Sequence, residues 1–333
     1  MTVVPGSIPK IILSSTIKTT SLLKTIKNRK TLFVFIKLIL FVGVLFLLYN
    51  QINRIEEGQW NAFELKHPMI LVLVILLVVP NIGLAFLKWK LTLKTIEVDS
   101  VKKQRVQSFF AGVVTGMLTP NMLGNFIGRF YYFDRKNRVQ ITLFTMLSNF
   151  AQFIASITFG WLAVLLLDGL VVWENEKQLV IWVGLSMITS YLIYFFIENF
   201  MVKFRKRDYS TTFKTVLHRN KFYRVKLLLF SLLRFIVFTL QFSLLLFAFD
   251  EELNTTLIFA IWQVYLLTML APSLFFGKIG IKESISLFVL GAIGVNEVSI
   301  LFTSVLIWLI NSFAPALLGV FICKSNFREW QQS

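Results

Sequence analysis

Cysteine is almost missing from this chain. Cys323 stands alone, so no internal disulfide can form and no oxidising compartment is required. Histidine is nearly as scarce: His67 and His218 fall in different loops, and no Cys/His/Asp grouping has metal-ligand spacing, so no bound metal is expected. Acids are few, 17 Asp and Glu against 34 Lys and Arg. Those inside apolar stretches, Glu198, Glu283 and Glu297, form no pair suited to general acid–base work. A G-x-x-x-x-G-K-[ST] loop is absent, so ATP cannot drive this protein directly. These gaps lead to the expectation of no cofactor and no enzymatic activity, with a membrane-embedded transferase kept as an alternative.

What the chain has in excess is apolar surface. Of 333 residues 56% are hydrophobic and 35 are phenylalanine, with a mean hydropathy of +0.72, more than a soluble domain could hide. The chain reads as a polytopic membrane protein. Its net charge of +17 would suggest nucleic acid on a soluble protein, but here the charges sort by loop, and no nucleic-acid partner is expected.

Full spans of about 20 residues fall near 31–49, 69–88, 141–167, 178–200, 227–249 and 297–322. Lys plus Arg number six in 1–30, six in 88–105, four in 129–138, nine in 201–226 and two in 324–333. The alternate loops 50–68, 168–177 and 249–254 hold two, one and none, and carry acids such as Glu56, Glu57, Asp250 and Glu251. Basic loops stay in the cytoplasm, which places 27 Lys/Arg inside against 3 outside and puts both termini in the cytoplasm. The basic loop 201–226 also holds Phe204, Tyr209, Phe213, Phe222 and Tyr223. It reads either as a surface attracted to anionic lipid or as a topology signal alone. The basic segment 1–30 fits an interfacial helix over Ile8–Ile26 or a frayed tail.

Two segments break the pattern. The first runs Leu118-Thr-Pro120-Asn-Met-Leu-Gly124-Asn-Phe-Ile-Gly128-Arg129, and the second runs from Ala271-Pro272 through Gly277-Lys278-Ile-Gly280-Ile-Lys282-Glu283. In hydrocarbon an unpaired backbone group costs several kcal/mol, so irregular chain at depth must be buried in protein or line a wet cavity. Residues 106–128 have a basic loop on each side, so that segment enters and leaves on one face as a re-entrant hairpin. The second, about 255–294, starts from the acidic face and enters oppositely. The predicted fold is an all-α bundle of six full spans and two broken hairpins, arranged as an inverted repeat with halves about 31–168 and 178–323. One transmembrane domain then covers 31–323, between the N-terminal segment 1–30 and a cytoplasmic tail 324–333.

Within this frame Arg129, Lys278, Lys282 and Glu283 are the candidate substrate-binding residues. Arg129 offers a planar bidentate donor to phosphate. Glu283 can pair with Lys282 or Arg129 or take up a proton; as an ordinary alternative it favours the start of a helix. Lys278 and Lys282 flank the second break, where the alternative is a position near the outer headgroups. Lys37 and Arg234 sit close enough to the cytoplasmic ends of their spans to snorkel. Pro120, Gly124, Gly128, Pro272, Gly277 and Gly280 are expected to build the turns, glycine supplying positive φ. Asn149, Gln152, Gln241 and Gln263 are candidate cavity-lining residues; interhelical hydrogen bonds explain most of these positions and Asn311, leaving one or two to line the cavity.

At these segments the sequence resembles the transmembrane region of bacterial lysylphosphatidylglycerol synthases and its stand-alone flippase-like relatives. Thr119, Pro120, Gly124 and Arg129 match the first block, and Pro272, Gly277, Gly280, Lys282 and Glu283 the second; Lys88 and Trp89 match a basic–Trp pair ending a span. The similarity covers roughly residues 30–323. Asn125 stands where a second glycine is common, and Trp308 where many relatives carry Arg. The resemblance implies a multi-pass protein of the bacterial inner membrane that moves a lipid between leaflets. It also implies a member without the soluble aminoacyl-transfer domain or that activity. The expected partners are membrane lipids with anionic headgroups, a phospholipid or a lipid-linked glycan carrier, together with a second copy of the chain or envelope-biosynthesis proteins. The alternative is a non-transporting component of a lipid or polysaccharide assembly complex.

Overall fold

A computed structural model describes residues 46, 49–50, 52–53, 55–119, 122–167, 176–201, 216–217, 222–271 and 280–323. The chain divides into two compact units, Met1–Leu47 and Leu48–Ser333, and the helical bundle belongs to the second. Apart from residues 46 and 49, the expected first span, 31–49, lies outside the described residues.

The described residues form helices and no strand: α1 Glu57–Ala62, α2 Pro68–Leu76, α3 Val78–Thr95, α4 Lys102–Leu118, α5 Gly124–Phe130, α6 Arg138–Leu166, α7 Glu176–Met201, α8 Tyr223–Ala248, α9 Thr255–Leu270, α10 Ile281–Gly291, α11 Glu297–Trp308 and α12 Ala314–Cys323. Five stretches are long and apolar enough to cross a membrane: Pro68–Thr95, Arg135–Leu166, Gln178–Ile197, Tyr223–Ala248 and Glu297–Cys323. Their outer faces carry bare apolar side chains, Met69 82% exposed, Val79 71% and Trp182 69%, as a surface solvated by lipid would.

Local sequence explains where the helices start and bend. Pro68 opens α2 at a position whose N–H would be orphaned anyway. Asn254 caps α9 by accepting the Leu257 N–H at 2.7 Å, and Asn296 caps α11 by accepting those of Val298 and Ser299. Pro80 has no N–H for the Leu76 carbonyl, and there the span Pro68–Thr95 breaks at Leu77 into α2 and α3. Pro315 cannot serve the Asn311 carbonyl, and the ladder widens into a π-turn over Leu309–Phe313 between α11 and α12.

Contacts fix the helix directions. The α2–α3 pair and α8 run antiparallel, zipped by His67 N–H to the Ala248 carbonyl (3.2 Å), Gln241 Nε2 to the Val74 carbonyl (2.9 Å), Arg234 Nε to Asn81 Oδ1 (2.8 Å), Lys88 Nζ to Ser231 Oγ (2.7 Å) and the Thr92–Tyr223 hydroxyl pair (2.9 Å). α6 runs parallel to α8, since Phe144 meets Tyr223, Gln152 meets Ser231 and Phe159 stacks on Phe235. α12 lies antiparallel to α4, where Gln107 bonds the Ile322 carbonyl and the buried Cys323 thiol points at the Gln107 carbonyl.

These directions give the bundle a basic end and an acidic end, and the two broken hairpins start from opposite ones. The first, α4–α5, leaves the C-terminus of α3 and returns to Arg135 and Arg138 at the start of α6. The second, α9–α10, leaves the C-terminus of α8 and returns to Asn296, whose N–H donates to Glu251 and whose amide nitrogen donates to the Gln59 carbonyl. Among the described residues, the two broken segments therefore start from opposite ends of the bundle.

Two large apolar clusters, with a small third at Ile157, Val164 and Leu266, fill the bundle. One joins Val74, Phe242, Leu245, Ile261, Leu290 and Val298 near the acidic end; the other joins Trp89, Leu93, Phe109, Phe144, Tyr194 and Leu227 near the basic end. Between them, along α3 and α8, lies a polar waist: Asn81, Lys88, Ser231, Arg234 and Gln241.

Candidate functional site

The first hairpin closes by helix backbones pressed together. An added Cβ at Gly124 would fall 2.2 Å from the Thr115 carbonyl oxygen, and one at Gly128 2.3 Å from that of Ala111. Only glycine allows this approach. Thr115 Oγ1 donates to the Gly124 carbonyl at 2.6 Å, and the Gly124 N–H donates to Thr119 Oγ1 at 2.6 Å, so side chains stitch the tip. The expectation that Gly124 and Gly128 supply positive φ is corrected: both are helical, and the left-handed residue among those described at this tip is Met122, φ 56°. In the second hairpin Gly280 does take positive φ, at 82°. Pro120, Pro272, Gly277 and Lys278 lie outside the described residues.

The tight first hairpin places Arg129. Its side chain crosses α4 at Gly112, where a Cβ would sit 2.7 Å from Arg129 Cγ. The guanidinium then rests over Trp89 (4.9 Å) and Phe109 (5.6 Å), with the residue 6% exposed. Its Nε has no hydrogen-bond partner among the described residues. Beside Trp89 on α3, Lys88 is 5% exposed and donates to the Ser148 carbonyl (2.8 Å) and Ser231 Oγ. From α8, Arg234 donates Nε to Asn81 Oδ1 and lies over Phe238 at 4.9 Å. Ser231 thus places Lys88 three residues along α8 from Arg234, and Trp89 places Arg129 beside the Lys88 position on α3.

No carboxylate among the described residues answers these three cations. The salt bridge found there is Lys66–Asp250, at the acidic end. Each basic group held inside a membrane span costs about 2.5–3.5 kcal/mol on insertion scales. Dipoles soften that for Lys88 and Arg234, and aromatic faces for Arg129, but no acid among the described residues pairs with them. Guanidinium and ammonium donors in such a setting have the chemistry to hold an anion.

An apolar cavity of about 700 Å³ opens on the side of the bundle, lined by apolar residues and by none of the three basic side chains. Val79 and Ile82 on α3, Phe109 and Phe110 on α4, and Ile310 and Leu318 on the last span line it. Val79 and Leu318 are exposed, so the groove opens toward lipid, while Phe109 forms its inner wall with the Arg129 guanidinium over that ring. Ile82 and Ile310 adjoin Asn81 and Asn311. There Asn81 Nδ2 donates to Asn311 Oδ1, and Asn311 Nδ2 to Gln241 Oε1 at 3.0 Å, which ties three spans together beside the groove.

The second hairpin holds a different pair. Glu283, 1% exposed, accepts the Gly280 N–H on Oε2 at 2.6 Å, while Oε1 has no partner among the described residues. Lys282 points away from it, Nζ lying 3.3 Å from the Tyr265 hydroxyl and over the rings of Phe242 and Tyr265. Glu283 forms no ion pair with Lys282 or with Arg129, so its expected pairing is absent here.

The candidates thus fall into two places. Arg129 joins Lys88 and Arg234; Lys282 and Glu283 stand together on α10. Gln241 and Gln263 are fully buried, Gln152 donates to the Ser231 carbonyl at 3.3 Å, and Asn149 is exposed on α6. Sequence reasoning missed Lys88 as a buried group by ending its span there. Beyond it Trp89, Leu91 and Leu93 alternate with Lys90, Thr92 and Lys94, so no apolar run marked Lys88 as interior. Arg234 does not snorkel to the span end but bonds sideways to Asn81.

Comparison with curated proteins and with solved structures finds no match. The pattern that defines the lysylphosphatidylglycerol synthase TM region matches residues 34–319. A multi-pass helical membrane protein matched over most of its length belongs, on that finding, to the lysylphosphatidylglycerol synthase TM region family.

Proposed function

We propose that this protein is a lipid translocator of the bacterial inner membrane, with both termini in the cytoplasm, and that it performs no covalent chemistry. An anionic headgroup passes along the polar waist between the hairpins while its acyl chains stay in the lateral groove and the bilayer. One observation carries the reading: three basic side chains, Lys88, Arg129 and Arg234, with no carboxylate paired to them among the described residues, lie behind an apolar groove open to lipid, the Arg129 guanidinium resting on the Phe109 ring that lines it. A headgroup path needs charge inside and hydrocarbon access outside, and this site offers both. The approach of the hairpins from opposite ends supports a repeat-built path reachable in turn from each face. Lys282 and Glu283 on α10 are the natural second station.

The test is leaflet exchange in liposomes. Purified protein is expected to speed exchange of a labelled anionic lipid, and Arg129→Gln or Arg234→Gln to reduce that rate at least tenfold. Exchange no faster than in protein-free vesicles, for every anionic and isoprenoid-linked lipid tried, would overturn the proposal. A protein that only supports an assembly complex would give that result while still binding its partners.

A further inference from the structure

We infer that the Lys88–Arg129–Arg234 cluster selects a lipid whose phosphate carries two negative charges, a terminal phosphomonoester or a diphosphate. It discriminates against phosphodiester, zwitterionic and aminoacylated headgroups. The inference rests on the lipid-carrying reading above and names the headgroup that site takes.

Charge counting is the first support. Both guanidiniums stay protonated at any physiological pH, and Lys88 adds a third basic group, with no acid paired to any of them among the described residues. A phosphodiester brings one negative charge and leaves part of the cluster uncompensated. A phosphomonoester brings roughly 1.5–2 near neutral pH, and a diphosphate a similar amount. A zwitterionic headgroup brings none on balance, and an aminoacylated one adds a cation to a site already crowded with them.

Donor geometry is the second. The three basic groups come from three elements, α3, α5 and α8: Lys88 meets Ser231, three residues before Arg234, and Arg129 lies over Trp89, the neighbour of Lys88. Arg129 Nε has no partner among the described residues, and Arg234 gives its Nε to Asn81. Lys88 commits two of its three protons. A terminal phosphate presents three oxygens to such a set, whereas a diester presents two and a bulky substituent. The surroundings are the third support. Trp89, Phe109 and the apolar groove offer a sugar or glycerol headgroup no donors, but they suit hydrocarbon leading directly into a small phosphate.

The experiment uses the full chain in phosphatidylcholine vesicles, with binding and leaflet exchange measured for phosphatidic acid, a polyprenyl diphosphate, phosphatidylglycerol and lysyl-phosphatidylglycerol. The expected result is at least tenfold tighter binding and faster exchange for the first two. In an Arg129→Gln/Arg234→Gln double variant the preference is expected to disappear, while Arg129→Lys retains most of it and Lys66→Ala, at the far end, retains all of it. Melting temperature is followed for each variant, so a loss of preference in a protein that still unfolds cooperatively is read as a loss of the site. Phosphatidylglycerol handled as well as phosphatidic acid would overturn the charge selection and leave transport standing. Selective binding without exchange would overturn transport and leave the selection standing. Inorganic pyrophosphate competing as strongly as the lipids would show a soluble anion site and overturn the lipid assignment.

Discussion

Arg129 shows how a single side chain can work against the fold that holds it. Its stacking on Trp89 and Phe109 is worth about 0.5–2 kcal/mol, less than the roughly 2.5–3.5 kcal/mol that a basic group costs inside a span. Replacement by an apolar residue of similar length should therefore stabilise the protein. Arg129→Leu is expected to raise the melting temperature in detergent while lipid exchange falls; a lowered melting temperature would mark Arg129 as structural. The sequence made Arg129 visible, because an arginine directly after a broken span is conspicuous. It hid Lys88, which looks like a flanking charge until Ser148 and Ser231 are seen to enclose it. Arg234 was hidden for the same reason: its partner, Asn81, lies in another span and leaves no local trace.

Among elements, the α4–α5 hairpin depends on close backbone approach. Gly128→Ala would push a methyl to 2.3 Å from both the Ala111 carbonyl and Thr115 Oγ1, and overpacking of this kind costs about 1–3 kcal/mol. Gly83→Ala on α3 meets nothing within 4 Å, and helix propensity favours it by about 1 kcal/mol. Chemical unfolding of the two variants should move in opposite directions; equal losses would mean the hairpin is not the tight element described. The loop charges made the existence of both hairpins and their opposite approach legible. The tip was not legible, because glycine is needed on the helix face for contact rather than in the turn for φ. Likewise the π-turn at Leu309–Phe313 follows from Pro315, yet its result, Asn311 meeting Asn81 and Gln241, depends on three spans at once.

At the scale of the whole molecule, charge divides the bundle's ends, and the acidic end is itself responsive to pH. Burial raises the carboxyl of Glu251 above its ordinary range, although the Ser299 hydroxyl and the Asn296 N–H act in the other direction. The folded state thus binds a proton more readily than the unfolded one, so stability falls as pH rises from the ordinary carboxylate value through the folded value. Melting curves across that window should show this slope, and Glu251→Gln should flatten it; an unchanged slope would place the titration elsewhere.

The bundle's lone sulfhydryl is sealed against Gln107, which leaves the native protein silent toward membrane-impermeant maleimides. Sidedness can thus be read by adding one reporter at a time, without first stripping the background. With Lys103 exposed at the basic end and Lys66 at the acidic end, Lys103→Cys should react only from the cytoplasm and Lys66→Cys only from outside. Lys103→Cys reacting only from outside and Lys66→Cys only from the cytoplasm would turn the proposed orientation over, and labelling of both from one compartment would overturn the opposed ends.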